Sequence, residues 1–395
     1  MFDISIEQQV LATALEFISS TVDKDTGLGQ SCVSMETTGN GSVVMYTGNG
    51  NEFTEVEAIV TLGGNTVEKA PYVDFKRLYS IVKTIPKNEV VSIKASVNDL
   101  IINFSLKPVP IKLIGVGNGM IPLPSLTNGT STVATIPTKV ITKAVTSACA
   151  ILTDTNSKNI FDCICINTSG QNVDITAIDV VTKRTFSYSD VCTNNNPTQK
   201  FFLEAQKAKN ASKIFVDFLD LDITMDNSVI CIEGTTQIPY PAHDLITMVK
   251  YYSARLNGTF PNNIKQNMLP LPNEYAQLSK QDIVDTITRI KAINNGCVNH
   301  IVTLSGTTKS INAMVSSIYG SMEDHIETSN TLSTPIPQNT FNYDSLNDII
   351  KTIQGDVIEI GILPNHTDSL IIKKFGDDSV LYTLPSIIVN TASTP

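Results

Sequence analysis

The sequence predicts an α+β protein of three similar domains, each with two helices packed inside antiparallel sheets. Three observations predict it. Helical periodicity recurs six times at nearly even spacing, the stretches between change to strand periodicity, and 395 residues with 42% apolar content exceed one ordinary domain.

The first helical stripe begins near Ile6, with Val10, Leu11, Ala14, Leu15 and Ile18 on one face. The second begins at Asp74, uses Phe75, Leu78, Tyr79, Val82 and Ile85, and is stopped by Pro86. The third follows Thr138, read as an N-cap, and uses Ile141, Ala144, Val145 and Ala148. The fourth begins near Glu204 with Ala208, Ala211, Phe215 and Phe218, and the fifth near Lys280 with Ile283, Ile287 and Ile290. The sixth opens at Tyr343 with Leu346, Ile349, Ile350 and Ile353. Successive starts thus lie 63 to 76 residues apart.

Between the helices, runs such as VVSIKAS, LIINFSL, SVICIEG and VIEIGIL are rich in β-branched residues and bounded by Asn, Asp or Gly, the pattern of strands joined by hairpins. IVKTIPKNEVVSIKA from Ile81 parallels IIKTIQGDVIEIGI from Ile349 with one residue deleted. A repeat of about 65 residues is too small to enclose a core, so repeats pair into domains. Pro-rich polar joints after Leu123 and Asn267 place these at 1–127, 128–270 and 271–395.

Composition bounds the function. There is no apolar run of roughly 18 residues and no basic-then-apolar leader at the N-terminus, so a soluble cytoplasmic protein with no membrane partner is expected. Seven scattered cysteines lack a CxxC pair, which argues against a disulfide framework or a zinc site, and Cys163 and Cys165 read as buried small residues on one strand face. His243, His300, His325 and His366 lack ligand spacing, so no metal, no cofactor and no enzymatic activity are expected. Asp324-His325 is the tempting acid–base neighbour pair, but sequence neighbours rarely face one another across a site. The GVGNGM run at Gly115 precedes Ile-Pro-Leu-Pro rather than a helix, and reads as a domain-closing turn instead of a phosphate loop.

A net charge of −10 argues at first sight against nucleic acid. The six helical segments nevertheless hold 13 Lys/Arg and nine Asp/Glu, a net of +4 that leaves −14 for the remainder. Cationic helix faces lining a channel inside an acidic exterior would favour threaded DNA over DNA stuck outside. Lysines suit contacts that are loose and indifferent to sequence. The simpler alternative is that these lysines only keep the surface solvated.

Particular stretches resemble the bacterial DNA polymerase III beta subunit, the beta sliding clamp family. SARLNGTFPNN from Ser253 resembles that family's Arg/Lys-Leu…Phe-Pro pattern, and TRIKAINN from Thr288 resembles the end of its first helix in domain three. YVDFKRLYSIVKTIPKNEVVSIKASVNDLIINFS resembles its second-helix segment of domain one, and LYTLPSIIV from Leu381 its C-terminal Met-Pro ending. The resemblance implies a DNA clamp fold that forms a ring, with no catalytic residues and with three partners: double-stranded DNA, polymerase and clamp-loader subunits, and a second copy of itself in a head-to-tail homodimer. The implied DNA contacts are Lys24, Lys76, Arg77, Lys83, Lys139, Lys143, Lys207, Lys209, Lys213, Lys280, Arg289 and Lys291. The implied partner-peptide pocket falls on Ile160, Thr182, Lys183, Pro261, Leu384, Pro385 and Ile388, and the dimer interface on Ile111 and Leu113 against Ala292 and Ile293. The chain departs from the family where Ala-Thr-Asp-Gly-His-Arg-Leu is replaced by Ala177-Ile178-Asp179-Val180-Val181-Thr182-Lys183. Four arginines against 24 lysines add to that divergence, which points to a phage or plasmid clamp. The competing reading is a β-rich phage virion structural protein, which predicts no recurring helix.

Overall fold

The computed structural model describes residues 1–22, 32–64, 67–116, 126, 132–152, 163–179, 181–193, 198–234, 243–256, 258, 260, 268, 270–363 and 366–387. The chain forms two compact units. The first is Met1–Thr142, Cys192–Gln199 and Gln206–Leu256, and the second is Lys143–Val191, Lys200–Ala205 and Asn257–Pro395.

One element order is traversed three times. The first pass runs β1 (Asp3–Glu7), α1 (Gln8–Ile18), β2 (Cys32–Thr37), β3 (Ser42–Gly48), β4 (Glu52–Ile59), β5 (Thr61–Leu62), β6 (Val73–Asp74), α2 (Phe75–Thr84), β7 (Val90–Ala95), β8 (Asp99–Phe104) and β9 (Lys107–Ile114). The second runs β10 (Thr132–Pro137), α3 (Thr138–Cys149), β11 (Cys163–Ser169), β12 (Asn172–Ile178), β13 (Thr185–Val191), β14 (Gln199–Glu204), α4 (Ala205–Ile214), β15 (Asp220–Met225), β16 (Val229–Gly234) and β17 (Ile246–Ala254). The third runs β18 (Ala276–Ser279), α5 (Lys280–Ile293), β19 (Ile301–Gly306), β20 (Ser310–Ser317), β21 (Gly320–Glu327), β22 (Asn339–Asn342), α6 (Tyr343–Thr352), β23 (Val357–Leu363), β24 (His366–Lys374) and β25 (Val380–Pro385). All six sequence-predicted helices form.

Pairing explains why one repeat cannot stand alone. In each pass the opening strand joins the strands after the second helix (β1 with β7, β10 with β15, β18 with β23). The strand before the second helix returns to those after the first (β6 with β2, β14 with β11, β22 with β19). Every four-stranded sheet therefore borrows one strand from the other repeat, with β5 an extra edge strand on β1.

Four of these sheets fuse in pairs. Within unit 1, β4 pairs antiparallel with β17, Thr54 opposite Tyr251 and Val56 opposite Val249, to make one sheet of eight strands. Within unit 2, β13 pairs with β25 in the same manner, Phe186 opposite Tyr382.

Helices bury one stripe each against the sheets: Val10, Leu11, Ala14, Leu15 and Ile18 of α1 are fully inaccessible, as are Ile349 and Ile350 of α6. Side-chain oxygens cap three helices, Asp74 accepting from Arg77 N at 2.8 Å, Ser279 from Asp282 N at 3.3 Å and Asn342 from Ser345 N at 2.9 Å. Thr138 is not the expected N-cap. Pro137 still pairs with Asp220, so the helix springs directly from its strand; Thr138 N donates to Leu219 O at 2.8 Å, and its hydroxyl is buried without a partner. Phe215 and Phe218 fall beyond the end of α4 but stay buried, Phe218 packing 5.8 Å from Phe17 and lying over Gly234, where a Cβ would stand 2.2 Å from its ring.

The β4–β17 joint is held from within by a buried carboxylate. Glu52 Oε1 accepts from Tyr251 Oη and from Asn210 Nδ2 of α4 at 3.0 Å, while Oε2 accepts from Asn49 Nδ2 at 3.2 Å. Glu52→Leu strands two buried donors and should lower unfolding stability by about 2–4 kcal/mol. Glu52→Gln, which keeps an acceptor, should cost about half as much. Urea titration distinguishes the two, and equal small losses would show that the carboxylate does not hold the joint.

Candidate nucleic-acid interface and partner pocket

Helix α2 buries Phe75, Leu78 and Val82, a choice that turns Lys76, Arg77 and Lys83 to solvent. Phe75 and Tyr79 stack at 5.4 Å, and Lys83 Nζ lies 4.2 Å over the Tyr79 ring. A hydrogen bond to Tyr79 raises the Lys83 pKa above its ordinary value. On α3, Lys139 is exposed, whereas Lys143 Nζ reaches Asp377 Oδ2 at 3.5 Å and sits 5.1 Å from the Tyr188 ring. On α4, Lys213 is exposed and Lys209 half-buried, but Lys207 is only 7% accessible and presents little to any ligand.

The cations of α5 are engaged at home. Lys280 Nζ donates to Ile353 O at 2.6 Å, Lys291 pairs with Asp344 at 2.6 Å, and Arg289 forks onto Asp324, with its Nε at 3.1 Å. The Arg289 hydrogen bond holds Asp324 below the usual carboxylate range. For Asp344, burial pushes the pKa up, but hydrogen bonds from Lys291 and His300 outweigh it and the net shift is down. Asp324 and His325 serve different partners, since His325 Nδ1 meets Asn312 Oδ1 at 2.8 Å. Lys24 lies outside the described residues. Among the described residues no three His, Cys, Asp or Glu side chains gather as a metal centre requires, and no helix is long and apolar enough to cross a membrane.

The β13–β25 joint brings part of the expected pocket together. Because Thr185 faces Thr383 in antiparallel register, the loop carrying Thr182 and Lys183 runs beside the strand end carrying Leu384 and Pro385. Leu384 is buried and Pro385 half-buried, while Val181 of the loop is 82% exposed. Ile160, Pro261 and Ile388 lie outside the described residues. Lys183 has a φ of 56°, an unusual backbone for a side chain with a Cβ.

Sequence reasoning missed what holds that loop. Arg184 Nη2 meets Asp179 Oδ2 at 3.2 Å with both side chains almost fully buried, and Asp179 Oδ1 accepts from Val181 N at 2.9 Å and Thr182 N at 3.0 Å. Arg184 Nε also donates to Thr182 Oγ1 at 2.9 Å. An acid and an arginine bracketing a short loop was the available signal. Burial pushes the Asp179 pKa up, yet the Thr182 N–H and the Arg184 guanidinium more than reverse it.

Of the expected interface residues, Leu113 is buried and Ile111 half-buried on β9; Ala292 is exposed and Ile293 half-buried at the end of α5. Ile293 O accepts from Ser317 Oγ at 3.2 Å, which ties that helix end to the β20–β21 hairpin. In this chain β9 and β21 each end their sheet.

Helix pairs on antiparallel sheets, traversed three times and fused through their fourth and last strands, define the fold of bacterial DNA polymerase sliding clamps. The chain is similar over 98% of its length to the DNA polymerase sliding clamp of Bacillus subtilis (14% identity, 99% of that chain, TM-score 0.80). It is equally similar to the beta subunit from DNA polymerase of Streptococcus pyogenes (15% identity, 98% and 99% coverage, TM-score 0.82) and to the sliding clamp of Pseudomonas aeruginosa (12% identity, 98% and 100% coverage, TM-score 0.83). No protein-family model and no curated protein sequence matches it.

Removing one partner of a buried ion pair leaves the other uncompensated, so Asp179→Ala should cost about 3–5 kcal/mol in urea unfolding. The folded Asp179 pKa is depressed, so its contribution is complete above the ordinary value of 3.8 and is lost as pH falls through the folded value. The deficit of the variant should therefore shrink in acid below about pH 4; a deficit independent of pH would contradict this account.

Proposed function

We propose that the protein is a DNA sliding clamp, a non-enzymatic processivity factor that encircles duplex DNA as a ring and tethers a replicative polymerase. It comprises three domains, 1–127, 128–270 and 271–395, and works in the cytoplasm. Polymerase and loader peptides dock in the pocket that includes Thr182, Lys183, Leu384 and Pro385, completed by Ile160, Pro261 and Ile388. The virion alternative predicts no recurring helix, and six are present among the described residues.

The observation that carries this reading is a rule of pairing. The fourth strand of one pass takes the last strand of the next, β4 with β17 and β13 with β25, so β21 of the third pass and β9 of the first remain. An unpaired edge offers a row of donors and acceptors to another chain. A head-to-tail second copy satisfies both edges and closes a two-chain ring.

Register supports particular contacts. Ile111 faces Ile102 as Tyr251 faces Ile232 and Tyr382 faces Ile372. Met322 faces Val315 as Thr54 faces Thr47 and Phe186 faces Ala177. By the same rule Ile111 of one copy lies opposite Met322 of the other, with Leu113, Ala292 and Ile293 alongside.

Ile111→Glu or Met322→Glu should convert a two-chain mass to a one-chain mass in analytical ultracentrifugation, with Val97→Glu, in the exposed β7–β8 turn, as a neutral control. An unchanged dimer in both variants would show that the edges close in another way. Rings assembled on nicked circular plasmid by raising protein concentration should survive gel filtration and slide off once the plasmid is cut. Equal retention on circular and linear DNA would contradict the clamp reading.

A further inference from the structure

Granting that duplex DNA passes through the ring, we propose that the helices of each chain hold it unequally. Helices α2, α3 and α4 attract the phosphates, and helices α5 and α6 contribute no net attraction.

The helices divide sharply by charge. No carboxylate lies within α2, α3 or α4, which carry Lys76, Arg77 and Lys83; Lys139 and Lys143; and Lys207, Lys209 and Lys213, although Lys143 is paired with Asp377 and Lys207 is buried. In α5, Lys280, Arg289 and Lys291 share the helix with Asp282 and Asp285, and in α6 Lys351 shares it with Asp344 and Asp348. Helix α1 has Glu16 and no base.

Pairing sharpens the division. Arg289 and Lys291 already hold Asp324 and Asp344, and the Lys280 ammonium holds the Ile353 carbonyl. A cation that leaves a carboxylate for a phosphate exchanges one partner for another and exposes the carboxylate to repel the DNA. A paired charge also acts outside only as a dipole, which salt screens within about a Debye length of 8 Å. No ion pair among the described residues involves Arg77, Lys83, Lys139 or Lys213. The Tyr79 ring beneath Lys83 orients that ammonium without neutralising it.

The matching occupant is a polyanion of uniform charge density. Point-like ammonium groups with one guanidinium on helix faces supply no bidentate code for base edges, so duplex DNA of any sequence fits.

The test is the salt dependence of affinity for a short fluorescent duplex of mixed sequence, read by anisotropy on the intact protein. Each lost phosphate contact removes about 0.9 from the slope of log affinity against log salt. The triple variant Arg77→Gln, Lys139→Gln, Lys213→Gln should flatten the slope by about 2–3 and weaken low-salt binding more than tenfold. Its single variants should each remove about one. The triple variant Arg289→Gln, Lys291→Gln, Lys351→Gln should flatten the slope by less than about one. Thermal unfolding of each variant checks that the fold survives. Equal flattening by both triples would overturn the unequal contact while leaving the clamp reading intact; wild-type protein that shows no salt-dependent affinity for duplex would overturn both.

Discussion

Backbone hydrogen bonding along sheet edges is the constraint on which the rest of this molecule depends. A four-stranded sheet with one helix stripe against it leaves rows of donors and acceptors at its margins, and an unpaired row is an open template for another strand. Lending a strand between repeats gives the opening strand and the strand before the second helix a partner in every pass. Pairing the fourth strand of one pass with the last of the next closes the facing edges of β4, β17, β13 and β25, and makes the eight-stranded sheets continuous. The positions of the helices, the loop beside Leu384 and the free edges of β9 and β21 all follow from that pattern.

Buried charge then selects the register of the β4–β17 joint. An apolar strand pair slipped by two residues keeps its hydrophobic face inward, so burial alone discriminates weakly. Glu52 under Tyr251 would be left unsatisfied by such a slip of β4 against β17, at a cost of several kcal/mol. Lys373, nearly buried between Glu359 at 2.9 Å and Asp378, with the Tyr275 ring 4.2 Å away, restrains β23 and β24 in the same manner. These groups narrow the alternatives more than they add stability.

Periodicity made the six helices legible, because an amphipathic stripe is a local property and each stripe sits where the residues put it. The ends were less legible where tertiary pairing overrides local preference: Thr138 looks like a cap, but Pro137 remains in the sheet and denies it that geometry. Lys207 looks like a solvated lysine on a polar face, yet the β4–β17 joint passes beside α4, and Tyr251 Oη donates to the Lys207 carbonyl at 3.3 Å. Arg289, Lys291 and Lys143 read as phosphate contacts because Asp324, Asp344 and Asp377 are brought near them only by folding. Composition counts charges, and only the fold reveals which are already spoken for.

The same distinction explains how identities of 12–15% coexist with one fold. Sheet pairing is made by the backbone, which every residue except proline supplies alike, and the inward positions ask only for apolar side chains of compatible volume. Sequence can therefore drift widely while the alternation and the strand order persist. Function is constrained differently at its two surfaces. In the function proposed above, a threaded polyanion would ask only for net positive potential somewhere on the helices, so individual lysines could move from helix to helix without loss. A peptide pocket would ask instead for particular side chains at particular places, and in the loop from Asp179 to Arg184 the left-handed Lys183 and the outward Val181 are held by the buried Asp179–Arg184 pair rather than by the strands on either side.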